Sequence, residues 1–186
     1  MATWFALGGC AQLAGIDQTS KGTAIDAPAI DTPPPIDMPV DAPPCVGGDA
    51  RVEDPASGAC YIFFVAPLPQ ANAVAMCATL GAGTLLVSIQ SDAENTLVQQ
   101  LIGANLAFLG GNDITTEGVF LWPDGSALTF LKFNAGEPNN GAGQVPGGED
   151  CLIMHGELGG VWDDRPCAPV GGVATPGAYS YVCERD

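Results

Sequence analysis

The chain has 186 residues, the size of one domain with an appendage. Its 5 lysines and arginines against 21 aspartates and glutamates give a formal net charge of -16; so few bases exclude a phosphate-tracking groove for nucleic acid, and an anionic membrane surface repels such a chain. An acidic protein of this kind attracts cations, and no run approaches the roughly 20 apolar residues of a membrane-spanning helix.

In chain order, the first segment is 1–10, MATWFALGGC. Leu7-Gly8-Gly9-Cys10 resembles the lipobox of bacterial lipoproteins, in which the signal is cleaved before a cysteine that is then lipidated. No basic residue precedes Cys10, so 1–10 reads as a partial signal, with a plain secreted protein as the other reading. Residues 11–44 read as a disordered linker. In its later part a short unit recurs: Ile25-Asp26-Ala27-Pro28, Ile30-Asp31-Thr32-Pro33, Ile36-Asp37-Met38-Pro39 and Val40-Asp41-Ala42-Pro43. Proline fixes φ and removes donors, so the stretch is expected to run as extended, solvated polyproline II stiffened by self-repelling aspartates. It suits a spacer that holds a domain away from a surface. The composition holds 7 cysteines. None of the gaps between them is a CxxC pair, which argues against a zinc ribbon and for a disulfide framework in an oxidising compartment, with one cysteine left over.

Residues 45–186 read as one α+β domain. Cys60 to Val65 is apolar and aromatic-rich, a strand that Pro67 and Pro69 end. Residues 70–80 are alanine-rich without a breaker and Gly81 stops them, which predicts a helix. Leu85 to Ile89 is a second strand. Ser91-Asp92-Ala93-Glu94 is a capping box opening a second helix through Leu97, Val98, Leu101 and Ile102, closed by Gly103. After Gly110 helical periodicity is absent, and short apolar runs alternate with Gly, Asn, Asp and Pro: strands and long loops.

Oxygen-bearing side chains gather in that second half: Asp113, Glu117, Glu137, Asn139, Asn140, Glu149 and Asp150, then Asp163 and Asp164 after Trp162. Hard oxygen ligands with several carboxylates select calcium. Residues 134–150 form a long glycine-rich loop that a bridging cation would order. In Glu137-Pro138-Asn139 a cis peptide before Pro138 would converge the two flanking side chains on one point. Asp92, Glu94, Asp124 and Glu157 read as solvated surface. Trp162 reads as core beneath the loops, Trp122 as core or sugar platform, and His155 as structural. Asp163-Asp164 as an acid pair for glycoside hydrolysis is set aside, because adjacent strand residues point apart. No nucleophile is paired with a base and no phosphate-binding glycine loop is followed by lysine, so no enzyme is expected.

From Cys60 to Glu184 the chain resembles a C-type lectin domain. The resemblance rests on the order and spacing of Cys77, Phe108-Leu109-Gly110, Thr116-Glu117-Gly118, Glu137-Pro138-Asn139, Glu149-Asp150-Cys151, Val161-Trp162-Asp163-Asp164, Cys167 and Tyr181-Val182-Cys183-Glu184. It implies two helices with small antiparallel sheets and long calcium-binding loops. It implies disulfides Cys77–Cys183 and Cys151–Cys167, with Cys45–Cys60 as the amino-terminal bridge of long-form members; spacing alone leaves the pairing of six cysteines open. It implies a calcium shared by protein and sugar, held by Glu137, Asn139, Glu149, Asp163 and Asp164, with Glu137, Asn139, Glu149 and Asp163 meeting the sugar hydroxyls. The order Glu-Pro-Asn implies mannose, glucose, fucose or N-acetylglucosamine, where Gln-Pro-Asp would imply galactose. An auxiliary calcium is implied at Asp113, Glu117, Asn140 and Asp150. Asp163 stands where the family usually has asparagine; it adds charge and loses an amide donor, which would strengthen calcium and weaken sugar. Asn140 removes one charge from the auxiliary site. The expected function is calcium-dependent glycan recognition by an extracytoplasmic, surface-tethered lectin. The rival is a protein-binding domain of the same fold with structural calcium only.

Overall fold

A computed structural model describes residues 44–143, 145–171 and 177–186. Cys10 and nearly all of the 11–44 linker lie outside these residues. The strands are β1 Ala50–Glu53, β2 Cys60–Leu68, β3 Leu85–Leu86, β4 Leu106–Asn112, β5 Cys151–His155, β6 Val161–Arg165 and β7 Tyr179–Arg185; the helices are α1 Gln70–Ala78 and α2 Asp92–Ile102. The sheet order is β1-β2-β7-β4-β5-β6, with β3 also on β7. Two antiparallel sets are joined by one parallel pairing, Ala107 and Phe108 of β4 against Ser180 and Tyr181 of β7. That places β6 at the edge of the path, beside the long loops.

Local chemistry explains where the elements stop. At α2 the Ser91 hydroxyl accepts from the Glu94 N–H at 3.2 Å, and the Glu94 carboxylate accepts from the Gln90 N–H at 2.7 Å and from the Tyr61 hydroxyl at 2.9 Å. The predicted capping box is therefore present, with its return bond one residue upstream, and Glu94 has structural work that a solvated surface reading missed. Helix α1 ends at Ala78, two residues before the expected stop, because the Thr79 N–H and hydroxyl both bond the Met76 carbonyl (3.0 and 2.6 Å) and tighten the last turn. Strand β2 runs through Pro67 to Leu68; this proline sits in the irregular stretch between Phe64 and Leu68, where no regular ladder demands its missing N–H. The strand expected over 85–89 keeps two residues, since the Ser88 N–H bonds the Glu184 carboxylate at 2.8 Å.

Trp162 and Trp122 are both buried, which settles Trp122 as core. Trp162 meets Trp122, Phe130 and Phe133 edge-on at centroid distances of 5.8, 5.6 and 5.9 Å. Its indole N–H donates to Asn95 Oδ1 at 2.7 Å, and Asn95 Nδ2 donates to the Gly160 carbonyl at 3.1 Å, so α2 is keyed to the β5–β6 turn. Disulfides join Cys77 to Cys183, Cys151 to Cys167 and Cys45 to Cys60. The first ties α1 to the central strand β7, and the second ties β5 to the segment after β6.

A hollow of about 390 Å³ lies by Tyr61, Ser88, Glu94, Asp124, Glu184 and Asp186. Burial pushes the Glu184 carboxyl up to about 7 from its ordinary 4.5; the Ser88 N–H opposes this, while Glu94, Asp186 and Asp124 add to it. A folded-state pKa above the unfolded value means that the fold binds this proton more tightly, so stability is full below pH 4.5 and falls as the pH rises to about 7. Glu184→Gln keeps an acceptor for Ser88 and removes this dependence. The expected result is a stability loss between those two limits that is smaller in the variant by on the order of 2–3 kcal/mol, read from denaturant melts across pH.

Candidate metal and ligand site

The site is built where β6, the Glu137–Asn140 turn and the start of β5 meet. Along β6, side chains alternate: Trp162 and Asp164 face one way, Asp163 and Arg165 the other. Asp164 is buried and receives two backbone donors, Asn139 N–H at 2.9 Å on Oδ1 and Asn140 N–H at 2.6 Å on Oδ2. These bonds fix the turn over the strand. The Glu137–Pro138 peptide is cis, as expected, and Asn139 Nδ2 donates to Glu137 Oε2.

One carboxylate oxygen from each of Glu137, Asp163 and Asp164 lies within 4.8 Å of the other two, the only such group of three or more metal-binding side chains of the His, Cys, Asp and Glu types among the described residues. The expectation that Asp163 and Asp164 point apart is thus corrected at the level of their oxygens. Their side chains leave the strand on opposite faces, yet one oxygen of each reaches the point where Glu137 approaches.

Asp163 is divided between two roles. Its Oδ2 receives Arg165 Nη2 at 2.5 Å and His155 Nε2 at 3.1 Å, whereas its Oδ1 is buried without a partner. Arg165 also reaches Glu149 Oε1 at 3.5 Å through Nη1. Glu149 is buried, and its N–H donates to Asn140 Oδ1 at 2.7 Å. It lies outside the group of converging oxygens. Desolvation raises the Glu137 carboxyl above its ordinary value, with Asp163 and Asp164 adding to the rise; desolvation also raises Glu149, against the lowering by Arg165. Mutually repelling carboxylates, two buried and one half-buried, with an orphaned oxygen among them are the donor set of a hard divalent cation, and calcium fits them.

The second group is looser. Asp113 is buried, its Oδ2 accepts from the Gly118 N–H at 2.7 Å, and its Oδ1 is buried without a partner. Asp113, Glu117, Asn140 and Asp164 line a hollow of about 230 Å³. Burial raises Asp113 and Asp150, and the charge of Glu117 raises both further. Glu117 itself is exposed.

Sequence reasoning missed Arg165, and it assigned His155 no partner. The available signal was composition: Arg165 is one of only 5 bases in the chain and directly follows the Asp163-Asp164 pair.

The family profile described as "Lectin C-type domain" matches residues 66–173. "Lectin BRA-3" of Megabalanus rosa is 32% identical over 111 residues, covering 59% of this chain and 65% of that protein. The mouse scavenger receptor C-type lectin carbohydrate-recognition domain superposes with a TM-score of 0.62 at 25% identity, covering 78% of this chain and 98% of that one. The cow C-type carbohydrate-recognition domain of CD23, solved in the presence of a GlcNAc2Man3 oligosaccharide, gives 0.60 at 28% identity over 75% and 95%. The chain spans less than two thirds of the length of the curated relatives it matches. With a profile match over 108 of its 186 residues (173 − 66 + 1), with two helices on a disulfide-tied sheet and with a carboxylate cluster under the long loops, this chain belongs to the C-type lectin domain family.

Proposed function

We propose that the chain recognises glycans carrying mannose-, glucose- or N-acetylglucosamine-type hydroxyls through a calcium ion. The residues that would hold it are Glu137, Asn139, Glu149, Asp163 and Asp164. The observation that carries the reading is the convergence of Glu137, Asp163 and Asp164 oxygens within 4.8 Å beside the paired Glu137 and Asn139 side chains. Bound there, the ion supplies a Lewis-acidic point for vicinal hydroxyls, while carboxylates accept from those hydroxyls and amide groups donate to them. The presence of a mannose-containing oligosaccharide with the CD23 relative supports the sugar class. Asp113, Glu117, Asn140 and Asp150 would hold an auxiliary calcium that stiffens the loop.

The lectin head, residues 45–186, would stand on the acidic 11–44 spacer with Cys10 as a lipid anchor, in an extracytoplasmic setting on a bacterial surface. Its partners would be polysaccharide or glycoprotein, and dense display would supply avidity to a shallow site.

The test exchanges the turn's chemistry. Glu137→Gln with Asn139→Asp keeps the metal oxygens and moves the amide and carboxylate to opposite ends. Mannose affinity is expected to fall by at least about 10-fold and galactose affinity to rise, read by calorimetry in calcium. An unchanged mannose isotherm would remove the turn from recognition. A protein-binding role with calcium as a structural ion is the second reading, and the carboxylate at position 163 in place of an amide is the feature that favours it.

A further inference from the structure

We infer that Arg165 and Asp163 act together as the functional replacement for one asparagine: Arg165 cancels the added charge and supplies the donor to the sugar. This rests on the calcium-and-sugar reading above and adds a specificity-determining residue to it.

An asparagine side chain offers one carbonyl oxygen and one pair of N–H donors, with no net charge. Asp163 alone offers two oxygens, no donor and a full negative charge beside Glu137 and Asp164. The structure divides those two oxygens. Oδ1 is buried and bare, the state of an oxygen left for an ion. Oδ2 is closed off by Arg165 Nη2 at 2.5 Å and His155 Nε2 at 3.1 Å. The guanidinium therefore sits against Oδ2, the atom that an amide nitrogen would replace, and it carries five N–H donors in a rigid fork. Two of them point at Asp163 and Glu149. The side chain is 29% exposed while those of Asp163 and Glu149 are each 2% exposed, so the arginine is the member of this ion-paired unit that a ligand can reach.

The pair's charge gives a four-way test. Asp163 with Arg165 sums to zero. Arg165→Met leaves minus one, Asp163→Asn leaves plus one, and the double variant Asp163→Asn/Arg165→Met returns to zero with a true amide in place. Each is made in the full chain and purified in calcium. Calcium affinity without sugar, by calorimetry, is expected to be tightest in Arg165→Met, intermediate and similar in wild type and the double variant, and weakest in Asp163→Asn. Mannose affinity at saturating calcium is expected to follow a different order. Arg165→Met loses about 10-fold, the cost of one charge-assisted donor, while the other three stay within about 3-fold of one another. Arg165→Lys, which keeps the charge without the fork, should hold calcium near the wild-type affinity yet weaken mannose, and it remains informative if Arg165→Met does not fold.

An Arg165→Met or Arg165→Lys protein that binds mannose as the wild type does overturns the inference. So does an equal loss from Arg165→Met in the wild-type and Asp163→Asn backgrounds, which would make arginine an independent contact. If the wild type itself binds no mannose in calcium, the reading beneath fails first, and the calcium series still decides whether the pair acts as one neutral unit.

Discussion

Asp164→Ala is expected to abolish calcium-dependent sugar binding and to cost about 3–5 kcal/mol of stability in calcium. Asp164 accepts two backbone N–H groups, from Asn139 and Asn140, at 2.9 and 2.6 Å. Each is a charge-assisted bond contributing about 1.5–3 kcal/mol. Alanine leaves both donors without this acceptor and releases the turn that carries Glu137 and Asn139. The sign depends on the metal. Asp164 and Asp163 both repel Glu137. Without calcium, removing one of three crowded carboxylates relieves that repulsion, so the loss in EDTA should be smaller by about 1–2 kcal/mol. Denaturant melts of wild type and variant in calcium and in EDTA check both parts. An equal loss in the two conditions would show that Asp164 acts only as a backbone cap.

Replacing Cys77 and Cys183 with alanine is expected to cost about 4–5 kcal/mol, against about 3 kcal/mol for the Cys45–Cys60 pair. The difference comes from loop length: the first pair closes a separation of 106 residues and the second one of 15. Burial sharpens the contrast. Cys77 and Cys183 are both fully buried and pin α1 to β7, the strand that β2, β3 and β4 all pair with. The amino-terminal bridge holds only the β1–β2 hairpin at the end of the sheet path. The two double variants, melted under non-reducing conditions, should therefore rank in that order, and the reverse order would place the chain's stability in the hairpin.

Much of this architecture was legible because it is written in local chemistry. Ser91 and Glu94 announce α2 through a capping pattern confined to four residues, and Gly103 ends it. Glu137-Pro138-Asn139 marks a turn whose flanking side chains meet. What escaped depends on contacts distant in sequence. The end of the 85–89 strand is set by Glu184, 96 residues on from Ser88. The meeting of the Asp163 and Asp164 oxygens centres on Glu137, brought in by a turn more than 20 residues upstream, which alternation along one strand does not contain. Arg165 became meaningful only once β5 lay beside β6, with Ile153 opposite Asp163 and His155 a diagonal neighbour on the same face. The three disulfide pairings came from family resemblance, since spacing alone permits many, and the structure contains those same three.

The most direct measurement is a calorimetric titration of the full chain with mannose and with galactose, each in calcium and in EDTA. The expected result is a mannose isotherm in calcium that disappears in EDTA, with no galactose response in either. Mannose binding that persists in EDTA, or a galactose response in calcium equal to that of mannose, would contradict it.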